Sequence, residues 1–129
     1  MRELQRILHV DDAEDIRIIA DIALKLIGQF ELLQCDSGKQ AIEKAQAFHP
    51  DLFLLDYMMP EMDGKETLRE LRNLPGLGDV PVVFMTARVN EEFSAGLLRD
   101  GALDVIAKPF DPMALANQLR ALWQTHTAS

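Results

Sequence analysis

The 129-residue chain is predicted to fold as a doubly wound α/β sandwich: a parallel sheet in the order 2-1-3-4-5, with helices on both faces. Three observations predict it. Short apolar runs alternate five times with longer segments of helical period. Each strand is followed by enough chain for a helical crossover, which parallel pairing requires. The length suits one domain, predicted over 1–129 with its core at 6–123, and excludes an eight-unit barrel of roughly 250 residues.

The first strand is the apolar run Ile7 to Val10, closed by Asp11 and Asp12. From Ile16 the period lengthens, and Ile16, Ile19, Ala20, Ala23 and Ile27 predict one inward helical stripe ending at Gly28. Phe30 to Cys35 reads as a less buried strand. Ser37 and Gln40 match a capping box for a helix facing inward through Ala41, Ile42, Ala45 and Phe48, which His49-Pro50 ends. Residues 51–56, DLFLLD, place four successive apolar residues between two acids, as a strand covered on both faces requires.

After the turn MMPEMDG, Asp63 and Glu66 can cap a helix carrying Leu68, Leu71 and Leu74. Pro75 to Gly78 breaks the chain before the fourth strand, 80–87, where Pro81 is tolerable only near the beginning. Asn90 can cap a helix from Glu91 to about Gly101. Ala102 to Ala107 is the fifth strand. Asp111 then caps a last helix with Pro112 in its first position and Leu115, Leu119 and Leu122 along it.

Composition narrows the function. Thirteen basic residues against 21 acidic ones give a net charge of -8, which opposes non-specific attachment to nucleic acid or anionic membrane. Cys35 is the one cysteine, so no intrachain disulfide or cysteine-rich zinc site can form, and a reducing cytosol is the expected compartment. No signal-peptide core or run of 18 apolar residues occurs. Neither a GxxxxGK[ST] phosphate loop nor a GxGxxG fingerprint is present. His9, His49 and His126 share no motif and read as structural or solvated.

The chemistry-bearing residues collect by position. Asp11 and Asp12 end the first strand, Asp56 the third, Thr86 nearly ends the fourth, and Lys108 follows the fifth. Parallel strands deliver all five to the carboxyl edge, where open α/β sheets bind ligands at the switch in strand order. Clustered carboxylates need an intervening positive charge. Mg²⁺ matches an all-oxygen set too small to enclose it, leaving positions for water and phosphate. Asp56 can then take a phosphoryl group by in-line attack, with Lys108 as a point cation and Thr86 as a hydroxyl donor. Taken singly, Asp12, Thr86 and Lys108 read more readily as a turn or cap residue, a strand-end hydroxyl and a solvated lysine; the convergence of all five positions carries the functional reading.

LHVDD at 8–12, LLDYMMPEMDG at 54–64, FMTA at 84–87 and AKPF at 107–110, in this order, closely resemble the receiver (response-regulator) domain of two-component phosphorelays, a flavodoxin-like fold. The resemblance spans residues 6–123. It implies Asp56 as phosphoacceptor, Asp11 and Asp12 as the Mg²⁺-holding pair with the Met58 backbone carbonyl as a further ligand, Thr86 as the hydroxyl turning toward phosphate, and Lys108 as the salt-bridging lysine. It also implies a cis Lys108-Pro109 bond and turn roles for Pro60 and Gly64. The expected partner is a histidine kinase or histidine phosphotransfer protein, with an output domain or downstream protein beyond it. The chain is expected to act as a signalling receiver rather than a metabolic enzyme, although it assists its own phosphorylation and dephosphorylation.

Several positions depart from that pattern or stay open. Val105 stands where receivers often carry a switching Tyr or Phe, which alters the usual hydroxyl–aromatic coupling or reflects ordinary sheet packing. Met58 and Arg88 border the expected water approach, and Met58 predicts slow self-dephosphorylation. Trp123 reads as core packing more than as a partner anchor. Leu97, Leu98, Val105 and Leu119 suit either a homodimer or partner face or inward burial. The short QTHTAS tail favours an excised part of a longer regulator over a stand-alone receiver. Two competing readings are a magnesium-dependent phosphatase, which the lack of a second Asp at 58 disfavours, and a phosphorylation-independent scaffold.

Overall fold

A computed structural model describes residues 2–87 and 90–128. Five strands, β1 (Arg6–Val10), β2 (Glu31–Cys35), β3 (Leu52–Asp56), β4 (Val82–Thr86) and β5 (Asp104–Ala107), form one parallel sheet in the predicted order 2-1-3-4-5. The helices are α1 (Glu14–Asp21, continuing as a π-helix over Ile22–Ile27), α2 (Gly38–Phe48), α3 (Gly64–Arg72), α4 (Glu91–Arg99) and α5 (Leu115–Ala128).

The period-2 alternation of the central strands divides the core into two sheets of side chains. Ile7, Leu52, Leu54, Val83 and Met85 pack toward α1 and α5, against Ala23, Leu24, Leu115 and Leu119. Leu8, Phe53, Leu55, Val82 and Phe84 point the other way, against Ala41, Ala45, Leu71 and Leu97 of α2, α3 and α4. Burial on both faces explains why β3 and β4 are continuously apolar up to their last residues.

Local signals are met where they depend on near neighbours. Asp63 and Glu66 form the reciprocal capping box of α3, and Asn90 accepts from the amides of Glu92 and Phe93 at the start of α4. Ser37 accepts from the Gln40 amide at 3.1 Å, but Gln40 returns its side-chain oxygen to the Asp36 amide, one residue before the cap. The predicted stripe of the first helix is displaced: Ile19 and Ile27 are exposed, while Ala20, Ala23, Leu24 and Gly28 are buried. The chain ends that helix in wider turns, with the Gly28 amide reaching the Ala23 carbonyl at 3.1 Å, which rotates its last residues relative to a regular α-helix. The last helix begins at Leu115 instead of Pro112, because Asp111 first closes a turn, its side chain accepting from the Met113 amide at 2.9 Å.

Trp123 is buried and donates its indole N–H to the Arg2 carbonyl at 2.8 Å, in agreement with a packing role. Leu97 and Leu119 also face inward, so of the four candidate interface residues only Leu98 and Val105 keep appreciable surface. The Lys108-Pro109 bond is cis.

Candidate functional site

The sheet's register assembles the site. Val10 pairs with Leu55, Asp56 with Met85, and Thr86 with Ala107, so the residues ending β1, β3, β4 and β5 emerge at one edge. The next backbone groups stay tied: the Tyr57 amide donates to the Met85 carbonyl and the Lys108 amide to the Thr86 carbonyl, each at 2.9 Å. The predicted residues converge. One carboxylate oxygen each from Asp11, Asp12 and Asp56 lies within 4.8 Å of the others.

Lys108 extends into this group and places Nζ 3.1 Å from Asp11 Oδ2 and 3.0 Å from Asp56 Oδ1. Asp11 is fully buried and spends its other oxygen on the Ala13 amide at 2.9 Å, and the Arg17 guanidinium holds the Asp11 backbone carbonyl at 2.8 Å. Asp12 is exposed at the mouth. Thr86 is buried, and Met58, two residues after Asp56, is 65% exposed. Arg88, the other residue expected beside the acceptor, lies outside the described residues.

One ammonium, paired with two of the three clustered carboxylates, undercompensates them. Burial pushes the Asp56 carboxyl up from 3.8 to about 6; the Lys108 hydrogen bond opposes this, and Asp11 and Asp12 add to it. For Lys108, burial acts to lower the value, but the hydrogen bonds it donates to Asp56 and Asp11 outweigh it and the ammonium is held above 10.5. A cluster of oxygen donors with residual negative charge fits a hard divalent cation, and three protein carboxylates leave other positions to smaller ligands.

Gly64 serves this edge through space and not through an unusual φ. A Cβ there would come within 2.6 Å of the Asp56 carbonyl oxygen and 2.9 Å of Tyr57 Cα. The left-handed residue of the turn is Glu61, with φ 67°. Tyr57, unremarked in the sequence, meets Phe84 edge-on at 5.7 Å and Phe93 at 4.8 Å, joining the residue after Asp56 to α4. Val105 is half-buried on the same side of the sheet and packs against that core. His9 is buried between strands with Nδ1 3.1 Å from the Gln34 amide nitrogen, and burial lowers it to about 4.

The family model of the response regulator receiver domain matches residues 7–120. This chain belongs to that family. It is 40% identical over 111 residues to the regulatory protein AtoC of Escherichia coli, covering 86% of this chain and 23% of the relative. It is 37% identical over 116 residues to the phosphate regulon transcriptional regulatory protein PhoB of Pseudomonas aeruginosa, covering 90% and 50%. The chain thus spans half or less of these relatives. Among solved structures, the chemotaxis protein CheY4 of Vibrio cholerae superposes with a TM-score of 0.82 at 28% identity, over 92% of this chain and 98% of that one. A response regulator from Desulfuromonas acetoxidans gives 0.83 at 27%, over 94% and 98%. The receiver is a signalling module and not a classical enzyme family.

Proposed function

We propose that residues 1–129 act as one receiver domain that accepts a phosphoryl group on Asp56 from a phosphohistidine of a histidine kinase or histidine phosphotransfer protein. The observation that carries this reading is the carboxylate of Asp56 at a strand end, 3.0 Å from the Lys108 ammonium and within a cluster of acids. An Asp56 oxygen attacks phosphorus in line, the P–N bond breaks, and the imidazole leaves and takes up a proton. Lys108, already beside that oxygen, follows the transferred oxygens as a fixed positive charge. Thr86, at the end of the neighbouring strand, supplies a hydroxyl donor to one of them.

Asp11, Asp12 and Asp56, with the Met58 backbone carbonyl, would hold Mg²⁺, which supplies charge neutralisation for the transferring group. Adding a phosphoryl group turns one carboxylate into a group of about -1.5 to -2 charge and draws Lys108 and Thr86 toward it. Tyr57 then passes a change at Asp56 to Phe93 on α4. The donor protein meets an exposed aliphatic row, Ile18, Ile22 and Leu26, running down the first helix from the same edge.

The relatives are named as regulatory and transcriptional proteins, which supports an output domain or downstream partner acting on gene expression. The net charge of -8 argues against direct nucleic-acid binding by this domain, and no helix among the described residues is long and apolar enough to cross a membrane. A cytoplasmic site of action follows from this reading.

Incubation with acetyl phosphate and Mg²⁺, followed by intact-mass measurement, tests the assignment. Wild type should gain one phosphoryl mass, dependent on Mg²⁺, and Asp56→Asn should gain none. Equal gain in the variant, or no gain in wild type with any of several small phosphodonors, would reject it.

A further inference from the structure

A second cleft, of about 460 Å³, lies between α3 and α4 over β4, away from the carboxylate cluster. Its floor is apolar: Val82 and Phe84 are alternate residues on one face of β4, and Leu68 and Leu97 close it from the two helices. Its α3 side is cationic. Lys65, Arg69 and Arg72 are spaced four and three residues apart and therefore share one helix face. Among the described residues Asp100 is the only acid on the lining, giving two more positive than negative groups there in a chain of net charge -8.

Those cations are not spent internally. Among the described residues none of the three forms an ion pair. Arg72 donates one long hydrogen bond, 3.4 Å, to the Val80 carbonyl and leaves its Nε buried without a partner. Concentrated positive charge beside an apolar floor, in a cleft of ligand size, selects a molecule that is itself divided into an apolar body and an acidic head.

We propose that the α3–α4 cleft binds a small organic anion: an aromatic or aliphatic body over Phe84 and Leu97, with a carboxylate, phosphate or sulfonate against Arg69, Arg72 and Lys65. The site stands independently of phosphoryl transfer. It is nevertheless in contact with the acceptor loop, because Phe84 meets the ring of Tyr57, the residue after Asp56. An occupant pressing on Phe84 is felt at Tyr57.

The test uses the aromatic sulfonate 8-anilinonaphthalene-1-sulfonate and its uncharged parent, N-phenyl-1-naphthylamine, as probes, read by fluorescence and by amide and indole NMR signals. The sulfonate should bind more tightly than the parent and shift the Tyr57 and Leu97 amides while leaving the Trp123 indole unmoved. Lys65→Gln with Arg69→Gln, both at exposed positions, should raise its half-saturation concentration roughly tenfold. The matched pair Lys25→Gln with Lys39→Gln, exposed elsewhere, should leave it unchanged. Absence of binding, equal affinity for the uncharged parent, indifference to the α3 pair, or shifts confined to Trp123 or the Ile18–Leu26 row would each overturn the proposal.

Discussion

The two ends of the sheet each hold a buried aspartate near a strand terminus, and they treat it in opposite ways. At the amino end, Asp51 directs Oδ2 to the amides of Gln5 and Arg6 at 3.1 and 2.9 Å, and Oδ1 to the Arg2 guanidinium at 3.0 Å. Every partner is a donor. At the carboxyl end, Asp56 shares one ammonium with Asp11 and faces Asp12 as well. The first arrangement ties the N-terminal segment to β3. The second buries Asp56 beside two other acids: burial, with Asp11 and Asp12 adding to it, lifts Asp56 to about 6, and the negative charge left over makes the notch receptive to cations.

The contrast breaks if the two aspartates respond alike to neutralisation. Asp51→Ala orphans two amides and strands Arg2, and should cost about 3 kcal/mol in urea unfolding at pH 7. Asp56→Asn should act with the opposite sign. The folded-state value of Asp56 stands above the ordinary 3.8, so its favourable contribution is complete below about 3.8 and disappears as pH rises through about 6. Asp56→Asn should therefore stabilise the fold at pH 7 by about 1–2 kcal/mol, a figure reduced for solvent at the open side of the notch. The gain should vanish near pH 4. His9, lowered to about 4, contributes the other way, stabilising more as pH rises toward 6.5, so the signature is the difference between wild type and variant unfolded in parallel. A destabilised Asp56→Asn at pH 7 would show that Asp56, like Asp51, is held by its neighbours.

A divalent cation sharpens the same distinction by a smaller amount. Mg²⁺ at roughly five times its dissociation constant should add about 1 kcal/mol to the unfolding free energy of wild type, through binding to the folded state alone. Asp51→Asn should retain that increment on its lower baseline, and Asp11→Asn should lose it. The same increment in Asp11→Asn would place the cation elsewhere on this acidic surface.

Much of the carboxyl end was legible because parallel topology converts sequence position into spatial position. A run such as LFLLD announces a doubly covered strand, and once β1, β3, β4 and β5 run together their terminal residues must share an edge. The amino end was not legible in this way. Asp51 finds its amides 45 and 46 residues earlier, and nothing in its immediate neighbours distinguishes it from a turn acid. Gly64 illustrates an intermediate case: glycine in the turn was expected, but its reason, close approach to the Asp56 carbonyl, needs the folded loop. The displaced stripe of the first helix depends on i→i+5 turns that no capping residue signals. Tyr57 and the α3–α4 cleft depend on how two helices settle over Phe84, which periodicity alone does not specify.

The smallest expected effect concerns kinetics at the mouth of the notch. Met58, 65% exposed, offers water only a weakly accepting thioether and no donor. Met58→Asn introduces a carboxamide that can both donate to and accept from an approaching water. After removal of the small phosphodonor, the phosphorylated variant should lose its phosphoryl mass about threefold faster than wild type, a modest gain appropriate to orienting water without supplying a base. Met113→Asn, at a site 70% exposed on the turn before α5, should match wild type. Faster loss in both variants would mean that general surface polarity governs the decay, and no change in Met58→Asn would mean that water reaches the phosphoryl group without passing this side chain.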